Sequence, residues 1–515
     1  MDSGANAKPL QIALQRYRYA VGKMPCPGSF GSIHMLFKEL SDHHFQMFHK
    51  PWLNPYELAA VTNYTAMFGT DKRNHKPLFA LDKPLNEFKR LWKLAEESNS
   101  YSDNPAYIAA FILRIVYQQL PYVIHPHRIP SMFSRMSRLF STGAMDAYVK
   151  ARLGFGGKDF FDAAEALFGQ FSRSAMYEEK DLAAVMGKDT LTGLLATLSS
   201  TRTQRLTFHR GKLEVKSPSE KPYELNSLLK YPMIRHGGEI YCPYPQLIGY
   251  AATRGLFFRF SEEDKEKFRE PFVESVELYV KETLKGALPT AEILTEKDER
   301  SLGWAGKTND VTAITGDCAL LIECKLSGLY VESKRLASPH SIISDVRKQI
   351  ADPKERRGLF QLYDKCQAIQ ARLLPPKLME KYNEVRRVYP VLLLFDEIQM
   401  ANKAEIMGNI IQDELTANGA RGFKYQIWHL EELDWLAALA KSAYMDWIAE
   451  KFSTKNEALD LSAFLADKAG GGFLKLILYL PEGDTKAIQI LQGLVAKESA
   501  CPPHPKEIYD GGGPT

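Results

Sequence analysis

The chain has 515 residues, more than a single hydrophobic core organises, so two or three domains are expected. Its 45% hydrophobic and 25% charged composition is that of a folded globular protein and excludes a disordered or fibrous one. With 66 Lys and Arg against 62 Asp and Glu, the net charge of +4 excludes a generally polybasic chain, so any contact with nucleic acid has to come from local patches.

Six cysteines, Cys26, Cys242, Cys318, Cys324, Cys366 and Cys501, show no Cys-x-x-Cys spacing, which argues against a zinc ribbon or a disulfide framework and for a reducing compartment. The opening Met-Asp-Ser-Gly-Ala-Asn lacks the basic-then-apolar layout of a secretory signal. No apolar run approaches the about 18 residues that a bilayer span needs, so a cytoplasmic location without membrane contact is expected.

Residues 1–200 read as mainly helical, with apolar periodicity at 55–68, 84–97, 105–120 and 159–171 and no fixed-period repeat. His125-Pro-His127 reads as a proline-flanked turn, because no further Cys or His stands at ligand spacing. Arg128, Arg135 and Arg138 alternate with Met132, Phe133 and Phe140 as a basic amphipathic helix, either a plain surface helix or a contact for phosphate or a partner. The run Gly154-Phe-Gly-Gly157 is too short for a dinucleotide fingerprint and reads as a loop. Between 202 and 222, Arg202, Arg205, Arg210, Lys212, Lys216 and Lys221 interleave with Phe208 and Val215, which predicts a basic hairpin or linker at a domain boundary. Residues 239–260, rich in aromatics, predict short strands or turns.

A helix is expected over 272–284, after Pro271. Val273, Val280 and Leu284 lie four before, three after and seven after Glu277, which puts that carboxylate on the apolar face. Glu274 and Glu282 lie farther round. A strand follows at 291–295. Gly306-Lys307-Thr308 ends like a phosphate-binding loop, but Ser301 occupies the first glycine position and a strand follows instead of a helix, so an NTPase site is rejected.

Residues 310–325 read DVTAITGDCALLIECK, two β-branched apolar runs about Thr315-Gly316-Asp317, a tight hairpin. Folding about Gly316 sets Asp310 opposite residue 322, give or take about one position, so Asp310 and Glu323 meet. Glu323 and Lys325 share a face; Ile322 and Cys324 take the other. Two carboxylates beside an ammonium suit a hard divalent cation such as Mg²⁺, which leaves several positions to water and phosphate, with the lysine orienting the attacking water. A solvated hairpin with alternating charges is the plainer alternative, and the surrounding elements decide between them.

Residues 358–373 predict a helix with Leu359, Leu362, Tyr363, Cys366 and Ile369 inward and Arg357, Gln361 and Lys365 as a polar stripe that faces either phosphate or solvent. The apolar run 391–395 predicts a strand covered on both faces, completing the order α-β-β-β-α-β. A helix at 403–415, a strand at 425–430 and a helix at 431–450 extend the layer. Beyond about 455 come Gly470-Gly-Gly472, an apolar run at 474–480 and a polar tail. The resulting division is 1–200, helical, for recognition or sensing; 201–265, connecting; 266–450, the catalytic candidate; and 451–515, an extension.

Over about residues 266–400 the chain resembles the PD-(D/E)XK nuclease superfamily. The resemblance implies an α/β fold with a restriction-endonuclease-like core in the C-terminal half, joined to a mainly helical N-terminal domain. It makes Asp310 and Glu323 the metal-binding carboxylates, Lys325 the lysine of the E-x-K, Glu277 the helix-borne acid supporting the metal, and Gln361 the polar residue of the later helix, with Gln349 and Gln367 as alternatives. Asn309 stands where proline is usual. The implied activity is Mg²⁺-dependent hydrolysis of phosphodiesters in nucleic acid, with Mn²⁺ able to substitute and double-stranded DNA preferred over RNA. By analogy the setting is bacterial anti-phage defence, with a regulatory protein partner or self-association. A nucleic-acid-binding scaffold that keeps a nuclease-like fold without turnover, or a triggered toxin-like effector, are the alternatives.

Overall fold

In the computed structural model, the described residues are 7–27, 29–42, 55–72, 81–98, 104–110, 120–122, 124, 128–215, 217, 220–326, 339–395, 403–453, 456–457 and 460–469. The fold is mixed α/β. His125, His127, Cys501, the apolar run 474–480 and the tail lie outside the described residues.

The C-terminal half is built on a five-stranded sheet. Its elements in chain order are α1 (Lys265–Ala287), β1 (Glu292–Thr295), α2 (Glu296–Ser301), β2 (Val311–Thr315), β3 (Cys318–Lys325), α3 (Pro339–Ile350), α4 (Leu359–Gln370), β4 (Arg387–Leu394), α5 (Lys403–Ala417), β5 (Gln426–His429) and α6 (Leu430–Ala440). The spatial order is β5-β4-β3-β2-β1. The first three strands form antiparallel pairs, whereas β4 runs parallel to both β3 and β5.

The hairpin forms where the sequence predicts it. Gly316 takes φ +54°, a left-handed conformation that costs glycine little, so Thr315 pairs with Cys318 across a two-residue loop. Arg387 at the start of β4 grips the other loop residue, Asp317, at 2.7 and 3.1 Å. From that turn the register runs back to Val311 opposite Ile322, which sets Asp310, the residue just before β2, opposite Glu323.

Strand alternation divides the sheet's side chains between two cores. Val311, Ala313, Leu320 and Ile322 pack with Phe272, Val276 and Val280 of α1. Ile314, Ala319 and Leu321 pack with Ile342 of α3, Leu359 and Leu362 of α4 and Ile410 of α5. Strand β4 is covered on both faces, as its unbroken apolar run predicts.

The first apolar cluster extends from Ile124 to Leu465 and takes in the helices Ile129–Phe140 and Gly157–Phe171. A separate cluster gathers Ala7–Gly22, Phe30–Asp42, Pro55–Phe68 and Asp82–Ser98 with Ile234 and Leu247. A four-stranded sheet, in the spatial order Met176–Glu178, Glu239–Tyr241, Met233–His236 and Ser199–Thr201, completes this half. Helices stand at three of the four predicted N-terminal positions; of the fourth, 105–110 is helical and 111–119 is outside the described residues.

Several expectations need correction. Helix α1 begins at Lys265 and contains Pro271, instead of following it, because Phe268, Phe272 and Val276 continue one buried stripe through that position and tertiary burial outweighs the lost backbone hydrogen bond. Among the described residues of 202–222, which do not include Lys216, there is no basic hairpin or linker. Arg202–Phe208 is a helix, and the fully buried Arg205 donates to Ser227 Oγ at 3.0 Å and to the carbonyls of Tyr231 and Met233. Residues 254–263 are helical rather than extended, since Leu256, Phe257 and Phe260 are buried at helical spacing. The helix expected over 431–450 breaks into Leu430–Ala440 and Tyr444–Lys451, with a single 3-10 turn between them.

Candidate functional site

The open end of the β2–β3 ribbon floors a cleft of about 790 Å³. Asp310, Glu323, Lys325 and Gln361 all line it. Glu323 is 3% exposed, and its Oε1 lies 2.6 Å from the Lys325 ammonium, two residues on along the same strand face. Its Oε2 accepts from Gln361 Nε2 at 2.8 Å. Gln361 reaches the site from α4, the helix that packs on the face to which Glu323 points. Of the alternatives, Gln349 lines the cleft, whereas Gln367 is exposed.

Asp310 is held by the backbone: its Oδ2 accepts from the Cys324 amide at 2.5 Å. The residue before it holds the entry into the strand. Asn309 is buried, and its Nδ2 donates to the Val311 carbonyl at 2.7 Å and to Thr312 Oγ1 at 3.0 Å, fixing the entry into β2 with side-chain hydrogen bonds.

Glu277 is placed differently. It borders the buried stripe of α1, formed by Phe272, Val276, Tyr279 and Val280, instead of standing within it. It lines an adjoining groove that shares Lys265, Arg269 and Val273 with the main cleft. It nonetheless responds to the charge of the ribbon. Burial, together with the charges of Asp310 and Glu296, pushes the Glu277 carboxyl up to about 7. Burial pushes Asp310 up to about 6, against the Cys324 amide and Lys325. Burial and then the Asp310 charge push Glu323 up to about 8, again against Lys325. The site is overcharged with carboxylates. Lys325, although burial lowers it, is held above its ordinary value by Glu323 and Asp310, and so remains an ammonium.

This donor set fits a hard divalent cation. It is all oxygen, it is partly desolvated, and the Asp310 charge raises the proton affinity of both Glu277 and Glu323, so a cation placed among them would be favoured. Among the described residues no three His, Cys, Asp or Glu side chains form a ready-made cage. A Mg²⁺ ion does not need one, since it is commonly held by one or two carboxylates with water and substrate phosphate filling the remaining positions.

Sequence reasoning missed Glu296, the first residue of α2, which lines the cleft, donates its amide to the Asp310 carbonyl at 3.1 Å and raises all three acids. No local pattern marks it. Also missed were the basic walls: Lys265 and Arg269, one turn apart on α1, face the cleft with Lys307 and Lys348. The i, i+4 spacing of the first two was a readable signal.

Two predicted basic features do other work. In the stripe Arg357, Gln361, Lys365, the first two line the cleft, but Lys365 is fully buried against Glu299 at 2.5 Å. Tyr363 of the expected inward face is only partly buried, and Phe360 takes a core position instead. The stretch carrying Arg128, Arg135 and Arg138 turns its first two cations inward and leaves Arg138 half exposed. Arg128 binds Glu431, Arg135 binds Asp434 at 2.7 Å, and Arg138 stacks on Tyr279 at 4.3 Å from the ring centre. The acidic first turn of α6 answers the first two of these cations, so this stretch joins helices.

Comparison of the chain with models of known protein families, with curated proteins and with solved structures finds no match.

Proposed function

We propose that the protein is a metal-dependent endonuclease of the PD-(D/E)XK type, hydrolysing phosphodiester bonds in nucleic acid, with double-stranded DNA as the substrate that the resemblance favours. The observation that carries this reading is the convergence of partly buried Asp310 and buried Glu323 with Lys325 and Gln361 on the floor of one cleft. The strand order β5-β4-β3-β2-β1, with two antiparallel and two parallel junctions and helices on both faces, supports it, because it sets those residues on the second and third strands of an αβββαβ core.

Asp310 and Glu323 would hold Mg²⁺ or Mn²⁺, with Glu277 in the adjoining groove supporting a ligand. When bound, the cation neutralises phosphate charge and lowers the pKa of a coordinated water. Gln361 keeps one Glu323 oxygen occupied and so turns the other toward Lys325. Lys325, beside Glu323 on the cleft floor, would donate to the attacking water or to a phosphoryl oxygen. Lys265, Arg269, Lys307, Lys348 and Arg357 bind flanking phosphates.

A cleavage screen of supercoiled, linear and single-stranded DNA and of RNA, with Mg²⁺, Mn²⁺ or chelator, tests the reading. Divalent-dependent nicking that a folded Asp310→Asn or Glu323→Gln variant loses is expected. Binding that survives chelator, with no cleavage of any substrate, would instead make the chain a nucleic-acid-binding scaffold.

A further inference from the structure

Beneath the cleft lies a second ionic pair. Glu299 of α2 and Lys365 of α4 are both fully buried, with their charged atoms 2.5 Å apart. The Lys365 ammonium lies 4.8 Å from the Trp304 ring centre and 5.4 Å from that of Tyr382, so aromatic faces enclose it in place of water. A pair so stripped of hydration contributes little to stability that apolar side chains of equal volume would not.

Its other partners point to what it holds. Glu299 Oε2 also accepts from Thr308 Oγ1, and Oε1 accepts from Tyr382 OH at 2.7 Å and Thr312 Oγ1 at 3.2 Å. Thr308 and Thr312 stand two residues before and two after Asp310, so both ends of the segment that presents this acid hang on one carboxylate. Lys365 follows Gln361 by one helical turn, and Gln361 Nε2 donates both to the Thr308 carbonyl and to Glu323. The same pair thus sets α4 against the Asp310 segment and, through Gln361, sets Glu323.

We infer that Glu299 and Lys365 are the positioning residues of the site, fixing the spacing of Asp310 and Glu323. The consequence for cleavage rests on the nuclease reading; the consequence for geometry rests on the hydrogen bonds alone. The test therefore uses two readouts. One is hydrogen exchange at the Cys324 amide, which reports the bond to Asp310. The other is turnover with Mg²⁺. The double variant Glu299→Leu with Lys365→Met removes both charges without stranding either, and Thr308→Val removes a single hydroxyl.

In cooperatively folded variants the Cys324 amide should exchange about tenfold faster while the Leu392 amide of β4 is unchanged, and kcat should fall at least about tenfold with KM within about twofold of the parent. A folded double variant whose Cys324 exchange and kcat match the parent overturns the inference; should it fail to fold, Thr308→Val decides by the same two readouts. If the parent cleaves nothing with any cation yet Cys324 exchange still quickens in the variants, the positioning role stands and the nuclease reading falls.

Discussion

The Lys325 ammonium lies 2.6 Å from the Glu323 carboxylate two residues before it on one strand face, so the lysine neutralises the acid that a cation would otherwise claim. Both side chains are largely buried, at 18% and 4% exposed. Removing the lysine therefore strands a desolvated carboxylate. Lys325→Ala is expected to destabilise the protein in chelator by about 3 kcal/mol, to recover part of that loss on adding Mn²⁺, and to lower cleavage by about 100-fold or more. Thermal unfolding with and without cation measures the first two effects, and an unchanged melting temperature would show that the pair carries no such strain.

The crowded acids also make the metal-free protein sensitive to pH. Asp310 is pushed up to about 6 from 3.8, chiefly by burial. A carboxyl that binds its proton more tightly in the fold than in the unfolded chain favours the fold where it is protonated. That contribution is complete below the unfolded value of about 4 and is lost as pH climbs through about 6. In Asp310→Asn the loss is absent. The variant should thus gain stability over the parent as pH rises from about 4 to about 7, by on the order of 1 kcal/mol after allowance for solvent screening of a partly buried residue. Saturating Mg²⁺ should shrink that gain, because a bound cation takes over the charge. Denaturant titrations across the interval give the slope, and a variant that loses ground with rising pH contradicts the assignment.

Asn309 holds the entry to β2 from a buried position, with bonds to Val311 and Thr312. Asn309→Ala leaves those acceptors unmet. A loss of about 1–3 kcal/mol in urea unfolding is expected, with cleavage falling further than the fraction of unfolded protein explains, since Asp310 is the next residue. An unaltered urea midpoint would show that water satisfies those groups.

Cations on the cleft walls and cations between helices should separate cleanly in binding. Arg357→Ala and Lys348→Ala, at the cleft, are each expected to lower the slope of log affinity for DNA against log salt by about one, with folding unchanged. Arg135→Met, which breaks the contacts with Asp434 and Glu431, should leave that slope alone and lower stability by about 3 kcal/mol. If Arg135→Met changed the slope as Arg357→Ala does, the helix would face nucleic acid after all.

Much of the site was legible because it is local. Period-two alternation and one glycine turn set the register, and register alone brings Asp310 to Glu323 and puts Lys325 on the same face. The fourfold spacing in α4 found Gln361, but the same spacing misread Lys365, because a helical stripe tells which residues share a side and not whether that side meets solvent or a buried acid from another element. Glu277 was found by its apolar neighbours, yet it borders the buried stripe and lines the adjoining groove.

The amino-acid order by itself determined the hairpin, its facing acids, the covered strand β4 and most helix positions, since each follows from patterns within a few residues. Only the tertiary structure decided where the scattered charges went. Arg205, Arg128, Arg135 and Lys365 read as surface cations but are drawn inward, because partners that lie tens to hundreds of residues away compensate their desolvation. Pairing at such separations leaves no local trace. The walls of the cleft depend in the same way on which helices the two faces of the sheet recruit.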